Sequence, residues 1–206
     1  LAVVALTAGT CPGQVRAPST VALVPPDEGL AIGEKLGQVR SLRDLRGNRR
    51  SIHDFEGYRA FVLVFMSPDC PMVRLYIPRL IEIEAEYRPR MVKFVAVYPN
   101  ENDTLPLIAA HAGERNLPFL VTKDFGQRLA DQVGVDRTPG VVIFDADRVL
   151  RYRGRIDDQY AAAGRRPAPT SLDLIDALDQ VLAGETVTTP ETGADGCVLE
   201  RDSVIP

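Results

Sequence analysis

Phe61 to Met66 (FVLVFM) and Val92 to Val97 (VKFVAV) are nearly continuous apolar runs. Each reads as a strand covered on both faces, the pattern of a sheet sandwiched between helices. Between them the spacing changes to a helical period, with Val73, Ile77, Leu80 and Ile81 on one face. The same alternation predicts a helix over Leu105 to Glu114, a short strand at Phe119 to Val121 and an amphipathic helix over Phe125 to Val133. Val141 to Phe144 and Val149 to Arg153 form two strands joined by the turn Asp145-Ala146-Asp147. Ser171 to Ala183 is a closing helix, with Leu172, Ile175, Leu178 and Leu182 facing inward, Ser171 as N-cap and Gly184 as the stop. Upstream, Val39 to Asp54 reads as a hairpin around Arg46-Gly47-Asn48. The order β-α-β-α-β-β-α implies an α/β sheet with mixed strand directions.

The two ends lie outside this pattern. Leu1 to Ala8 (LAVVALTA) is too short to span a bilayer and fits the tail of a secretory leader as well as it fits a plain apolar segment. Pro12 to Pro26 reads as a linker, and Gly184 to Gly196 (GETVTTPETGADG) as a polar, turn-forming arm that leads to Cys197. The chain thus divides into a leader remnant or flexible segment at 1–24, a domain at 25–185 and an arm at 186–206.

Composition narrows the chemistry. The chain has 206 residues, 45% of them apolar, enough for a full core. Its formal net charge of −4, with no basic block, argues against nucleic acid as a partner. Three cysteines (Cys11, Cys70, Cys197) and two histidines (His53, His111) are too few for a disulfide scaffold or a Cys/His zinc site, so no metal or cofactor is expected. His53 and His111 have no partner at an identifiable spacing and read as structural or surface residues. Asp157-Asp158 reads as a turn or helix start balanced by nearby arginines, and Tyr152 and Tyr160 as residues that could line a groove.

Cys70 is the exception. In Ser67-Pro68-Asp69-Cys70-Pro71 it falls between a buried strand and a helix, with Pro71 suited to the first helical position. Unpaired first-turn N–H groups and the positive end of the helix dipole favour a thiolate there. Thr138-Pro139, just before a strand, is a candidate cis bond that would expose the Thr138 backbone.

On these residues the chain resembles the thioredoxin-like redoxins, the group of thioredoxins, thiol-disulfide oxidoreductases and alkyl-hydroperoxide-reductase-type peroxiredoxins. The resemblance runs from about Gly29 to Gly184. It includes SLRDLRGNRRSIHDFEGYRAFVLVF, the Cys70 segment, Pro78 eight residues after Cys70, and GVDRTPGVVIFDADRVLRYRG. DCPMVRLYIPRL, GRIDDQY and Gly196-Cys197 look closest to bacterial extracytoplasmic peroxiredoxin-like redoxins, some fused to cytochrome c, although no C-x-x-C-H haem motif is present. The resemblance implies a thioredoxin-like fold, a central mixed sheet flanked by helices, with an N-terminal hairpin extension and a C-terminal arm. It implies thiol chemistry at Cys70 with Cys197, 127 residues later, as resolving cysteine, acting on a peroxide or a disulfide and reset by an external thiol. The Cys70–Cys197 bond could close within one chain or between the two copies of a homodimer. Ser67, Thr138, Pro139 and Arg137 would complete the site, with Arg74 a further candidate to stabilise the thiolate. Four departures stand out: Val73 replaces a second local cysteine, Leu63 replaces a proline, Asp69 sets a negative charge beside the thiol, and the chain has no tryptophan. Two alternatives follow: a Cu(I)-binding module using Cys70, Met72 and Cys197, and an interaction domain that has lost its chemistry.

Overall fold

A computed structural model describes residues 29–39, 41–161 and 164–200. Cys11, the Leu1–Ala8 run and the Pro12–Pro26 linker lie outside the described residues.

Six strands form one mixed sheet: β1 (Leu42–Asp44), β2 (Ala60–Phe65), β3 (Val92–Tyr98), β4 (Leu120–Asp124), β6 (Gly140–Asp145) and β7 (Leu150–Gly154), in the order β1-β4-β3-β2-β6-β7. β2 runs parallel to β3, and β3 parallel to β4, while β6 lies antiparallel to β2. The apolar runs are explained by this placement. Val62 and Val64 of β2 face one layer, with Tyr76, Ile77 and Leu80 of helix α1 (Pro71–Tyr87) and Leu174 and Leu178 of helix α4 (Asp173–Ala183). Phe61, Leu63 and Phe65 face the other, with Leu129 and Val133 of helix α3 (Arg128–Val133). Every residue of β2 is buried, because each face has its own cover. Helix α2 (Leu105–Glu114) crosses between β3 and β4. Two short pairings complete the fold: β5 (Arg137–Thr138) with β10 (Cys197–Val198), and β8 (Tyr160–Ala161) with β9 (Gly164–Arg165). No helix among the described residues is long and apolar enough to cross a membrane.

Several local expectations change. The hairpin around Arg46-Gly47-Asn48 closes through Asp44 N–H to Asn48 O and Arg50 N–H to Leu42 O, but its first strand has its main pairing with β4 at the sheet edge. The expected helix over Phe125 to Val133 is broken at its start: Gly126 and Gln127 both take left-handed backbone, and α3 begins at Arg128. The reason is Asp124, whose buried carboxylate accepts the N–H groups of Leu129 and Ala130 at 2.9 and 3.0 Å and so caps the helix from outside its own turn. Ser171 lies one residue before the N-cap of α4, Leu172, and its hydroxyl donates to Asp173 instead. Tyr152 is a fully buried core residue whose hydroxyl donates to the Arg155 carbonyl, so it lines no groove. Asp157 and Asp158 are structural: Asp157 accepts Tyr76 Oη, and Asp158 accepts the N–H groups of Thr170 and Ser171.

Candidate active site

Cys70 is the N-cap of α1, with Pro71 following it inside the first turn. The site therefore begins where a buried strand, β2, hands over to a helix whose first N–H groups have no partner behind them. Thr138-Pro139 is a cis peptide bond, and the Thr138 carbonyl lies against the sulfur. Cys70 Sγ donates to that carbonyl at 3.0 Å, and the residue is 1% exposed.

Cys197 arrives from the other side. The arm does not hang free: Cys197 pairs with Thr138 and Val198 with Arg137 in an antiparallel ladder. The two thiols face each other closely enough to interact, and neither is in a disulfide. Their ionisation is displaced in opposite directions. Burial pushes the Cys70 thiol up, but the Cys197 thiol, the Thr138 hydroxyl and the N–H groups of Val73 and Cys197 outweigh it, and its pKa falls below the ordinary value. The Thr138 hydroxyl is buried and has no partner while Cys70 is a thiol, so it is free to donate to the thiolate. Cys197 is pushed up to about 11, first by burial and then by its interactions with Cys70, with the Met72 N–H acting against them. Both sulfurs thus sit on the first turn of α1, and the negative charge belongs on Cys70.

A strap of residues 196–200 holds Cys197 in place. Gly196 lies so close to the cis-proline loop that a Cβ there would come within 2.2 Å of the Thr138 carbonyl oxygen. Arg137 donates to the Gly196 carbonyl at 3.1 Å, and Leu199 N–H to the Asp136 carbonyl at 2.8 Å. Cys197 packs against one core layer and Leu199 is buried in the other, so the strap crosses the end of the sheet. Glu200 is clasped by three side chains: its N–H reaches Asn100 Oδ1, its carboxylate accepts Asn102 Nδ2, and its carbonyl accepts Gln127 Nε2.

The other expected side chains have these partners, and the Ser67 carbonyl accepts the Cys70 N–H at 3.3 Å. Ser67 Oγ faces Asp103 at 3.4 Å. Arg137 donates to the strap at the Gly196 carbonyl, and Arg74 is exposed, with its charge felt at His111. Asp69 is exposed and acts on Asp103 and His111. His111 is buried, with Tyr98 Oη 2.9 Å from its Nδ1. Among the described residues no group of three or more His, Cys, Asp or Glu is gathered in a way that could hold a metal.

Sequence reasoning missed the polar cluster beside the site. Asp103 is 2% exposed and faces the buried Lys123, whose ammonium donates to the Asn100 carbonyl. Burial raises Asp103 to about 6 despite Lys123 and Ser67. The only hint in the sequence is an acidic, Asn-rich turn directly after a strand, Asn100 to Asp103.

A cysteine capping the helix after a central strand, set against a cis-proline loop on a mixed sheet, defines a thioredoxin-fold thiol protein. More narrowly, the chain belongs to the Redoxin family, whose model matches residues 18–163. Among solved structures it is similar to a hypothetical protein from Sinorhizobium meliloti (27% identity, 85% of this chain and 97% of the other, TM-score 0.76). It is similar in the same way to an uncharacterized conserved protein from Geobacillus kaustophilus (26% identity, 84% and 94%, TM-score 0.75). The thioredoxin domain of a thiol-disulfide oxidoreductase from Bacteroides vulgatus shares the fold (16% identity, 61% and 89%, TM-score 0.53). No curated protein sequence matches the chain.

Proposed function

We propose that the chain is a thiol–disulfide oxidoreductase that cycles between a Cys70/Cys197 dithiol and a Cys70–Cys197 disulfide within one chain. One observation carries this reading: two thiols at one helix N-terminus, one shifted down and the other up. The Cys70 thiolate attacks one sulfur of a substrate disulfide; that S–S bond breaks, and the first substrate thiolate leaves. Cys70 in the mixed disulfide carries no charge, so its hold on the Cys197 proton is gone and the Cys197 pKa falls. The Cys197 thiolate then attacks the Cys70 sulfur and expels the second substrate thiolate. The substrate gains two electrons and the chain loses two, which an external dithiol restores.

Disulfide exchange is favoured over peroxide reduction by what surrounds the sulfur. The Ser67 hydroxyl is turned to Asp103, Arg137 donates to the Gly196 carbonyl, and Arg74 is exposed. An extracytoplasmic location belongs to the same proposal, since such couples persist in oxidising compartments.

The test is non-reducing peptide mapping after treatment with oxidised glutathione. A Cys70–Cys197 link is expected in wild type, and a glutathione adduct held on Cys70 in Cys197→Ala. Absence of the link would overturn the proposal. Faster turnover of hydrogen peroxide than of oxidised glutathione would reassign the substrate.

A further inference from the structure

We infer that external thiols attack the oxidised protein at Cys197, and that Cys70 is the leaving group. The inference rests on the Cys70–Cys197 couple proposed above and assigns the sulfur that meets the reductant.

The geometry of the strap is the starting point. Cys70 is 1% exposed and lies under the Thr138 carbonyl, at the junction of β2 and α1. Cys197 is only partly buried, and the next residue of the strap, Val198, is 59% exposed. A Cys70–Cys197 bond fastens β10 where it already lies, on β5, between the Gly196 contact and the Leu199 and Glu200 anchors. In the oxidised protein the strap therefore cannot lift away from Cys70.

Displacement at sulfur runs in line, with the nucleophile approaching opposite the bond that breaks. Cys70, 1% exposed, belongs to the buried layer that also holds Val64, Val73 and Tyr76, which leaves little room for such an approach. Cys197, only partly buried, leaves more room for it. The departing Cys70 thiolate also has its donors ready: the N–H groups of Val73 and Cys197 and the unpartnered Thr138 hydroxyl. A better-stabilised thiolate leaves faster, so access and leaving-group stability choose the same sulfur.

The step balances. The incoming thiolate forms a bond to Cys197 Sγ, the Cys70–Cys197 bond breaks, and its electron pair leaves on Cys70 Sγ. The reductant's second thiolate then attacks its own sulfur in the mixed disulfide and expels the Cys197 thiolate, which takes up a proton. The reductant departs as a disulfide. Substrate and reductant thus meet different sulfurs: the substrate meets Cys70 when the strap is free to lift, and the reductant meets Cys197 when it is not.

The test oxidises the full chain, verifies the Cys70–Cys197 link by peptide mapping, adds reduced glutathione briefly, quenches with acid and alkylates the freed thiols. Glutathione is expected on the Cys197 peptide and the alkyl group on the Cys70 peptide, with Cys197 adduct in excess by about tenfold or more. Glutathione on Cys70, on both equally or on neither overturns the inference while leaving the couple standing. Failure of the link to form at the first step removes the couple itself, and the inference with it.

Discussion

Leu199→Ala measures how far the strap controls Cys70. Leu199 is 3% exposed and packs into the core layer that holds Phe65, Leu129 and Val135, though it is more than a hundred residues beyond the first of these. With Cys70 at 1% exposure, reagents reach its sulfur only after the strap opens, and opening carries Leu199 into water. Burying a leucine side chain is worth about 2 kcal/mol, and each 1.4 kcal/mol is a factor of ten, so truncation should raise the open population about thirtyfold. The assay follows carbamidomethylation of the Cys70 peptide with time in fully reduced protein at neutral pH. Leu150→Ala is the control: Leu150 is fully buried in the same layer but lies on β7, and its truncation should lower the melting temperature with little change in the Cys70 rate. Gly196→Ala should act in the same direction as Leu199→Ala, since its methyl group would press on the Thr138 carbonyl. Equal Cys70 rates in wild type and Leu199→Ala, or an equal acceleration by Leu150→Ala, would refute the reasoning.

Two further expectations concern stability. Asp103 is raised by burial from 3.8 to about 6, so the native state holds its proton more tightly than the unfolded chain does. Its contribution is present in acid and is lost as pH rises between about 4 and 6, leaving a penalty of at most about 3 kcal/mol above that window. Asp103→Asn should therefore raise the denaturation midpoint at pH 8 and flatten its dependence on pH across the window, as read by urea titration. Tyr76 Oη donates to Asp157 Oδ1 at 2.7 Å and accepts the Tyr160 N–H at 3.3 Å, while Asp157 Oδ2 is buried without a partner. Tyr76→Phe leaves that carboxylate with less support and should cost about 1–3 kcal/mol in the same titration.

The parts of the molecule legible in the sequence are those fixed by neighbours along the chain. FVLVFM is continuous because β2 is the centre of a sheet covered on both sides, and the Cys70-Pro71 junction follows because a strand end and a helix start are local events. The β6–β7 turn is equally local: Asp145 accepts the N–H groups of Asp147 and Val149, two and four residues ahead. The broken helix at Gly126-Gln127 was not legible, because the periodic pattern continues through it while the cap comes from the Asp124 side chain. The Arg137 partner, the Gly196 carbonyl, was not legible because it is 59 residues away. Nothing local marks Asp103 and Lys123, which are far apart in the chain and buried only by the fold.

The sequence by itself therefore determined that a reactive thiol stands at a helix N-terminus in an α/β protein, because backbone donors and dipole come with the helix. Only the tertiary structure decided what that thiol faces. Thr138, Cys197 and the Glu200 clasp converge on it through contacts spanning 68 to 127 residues of chain, and no local pattern encodes which distant segment closes over a site.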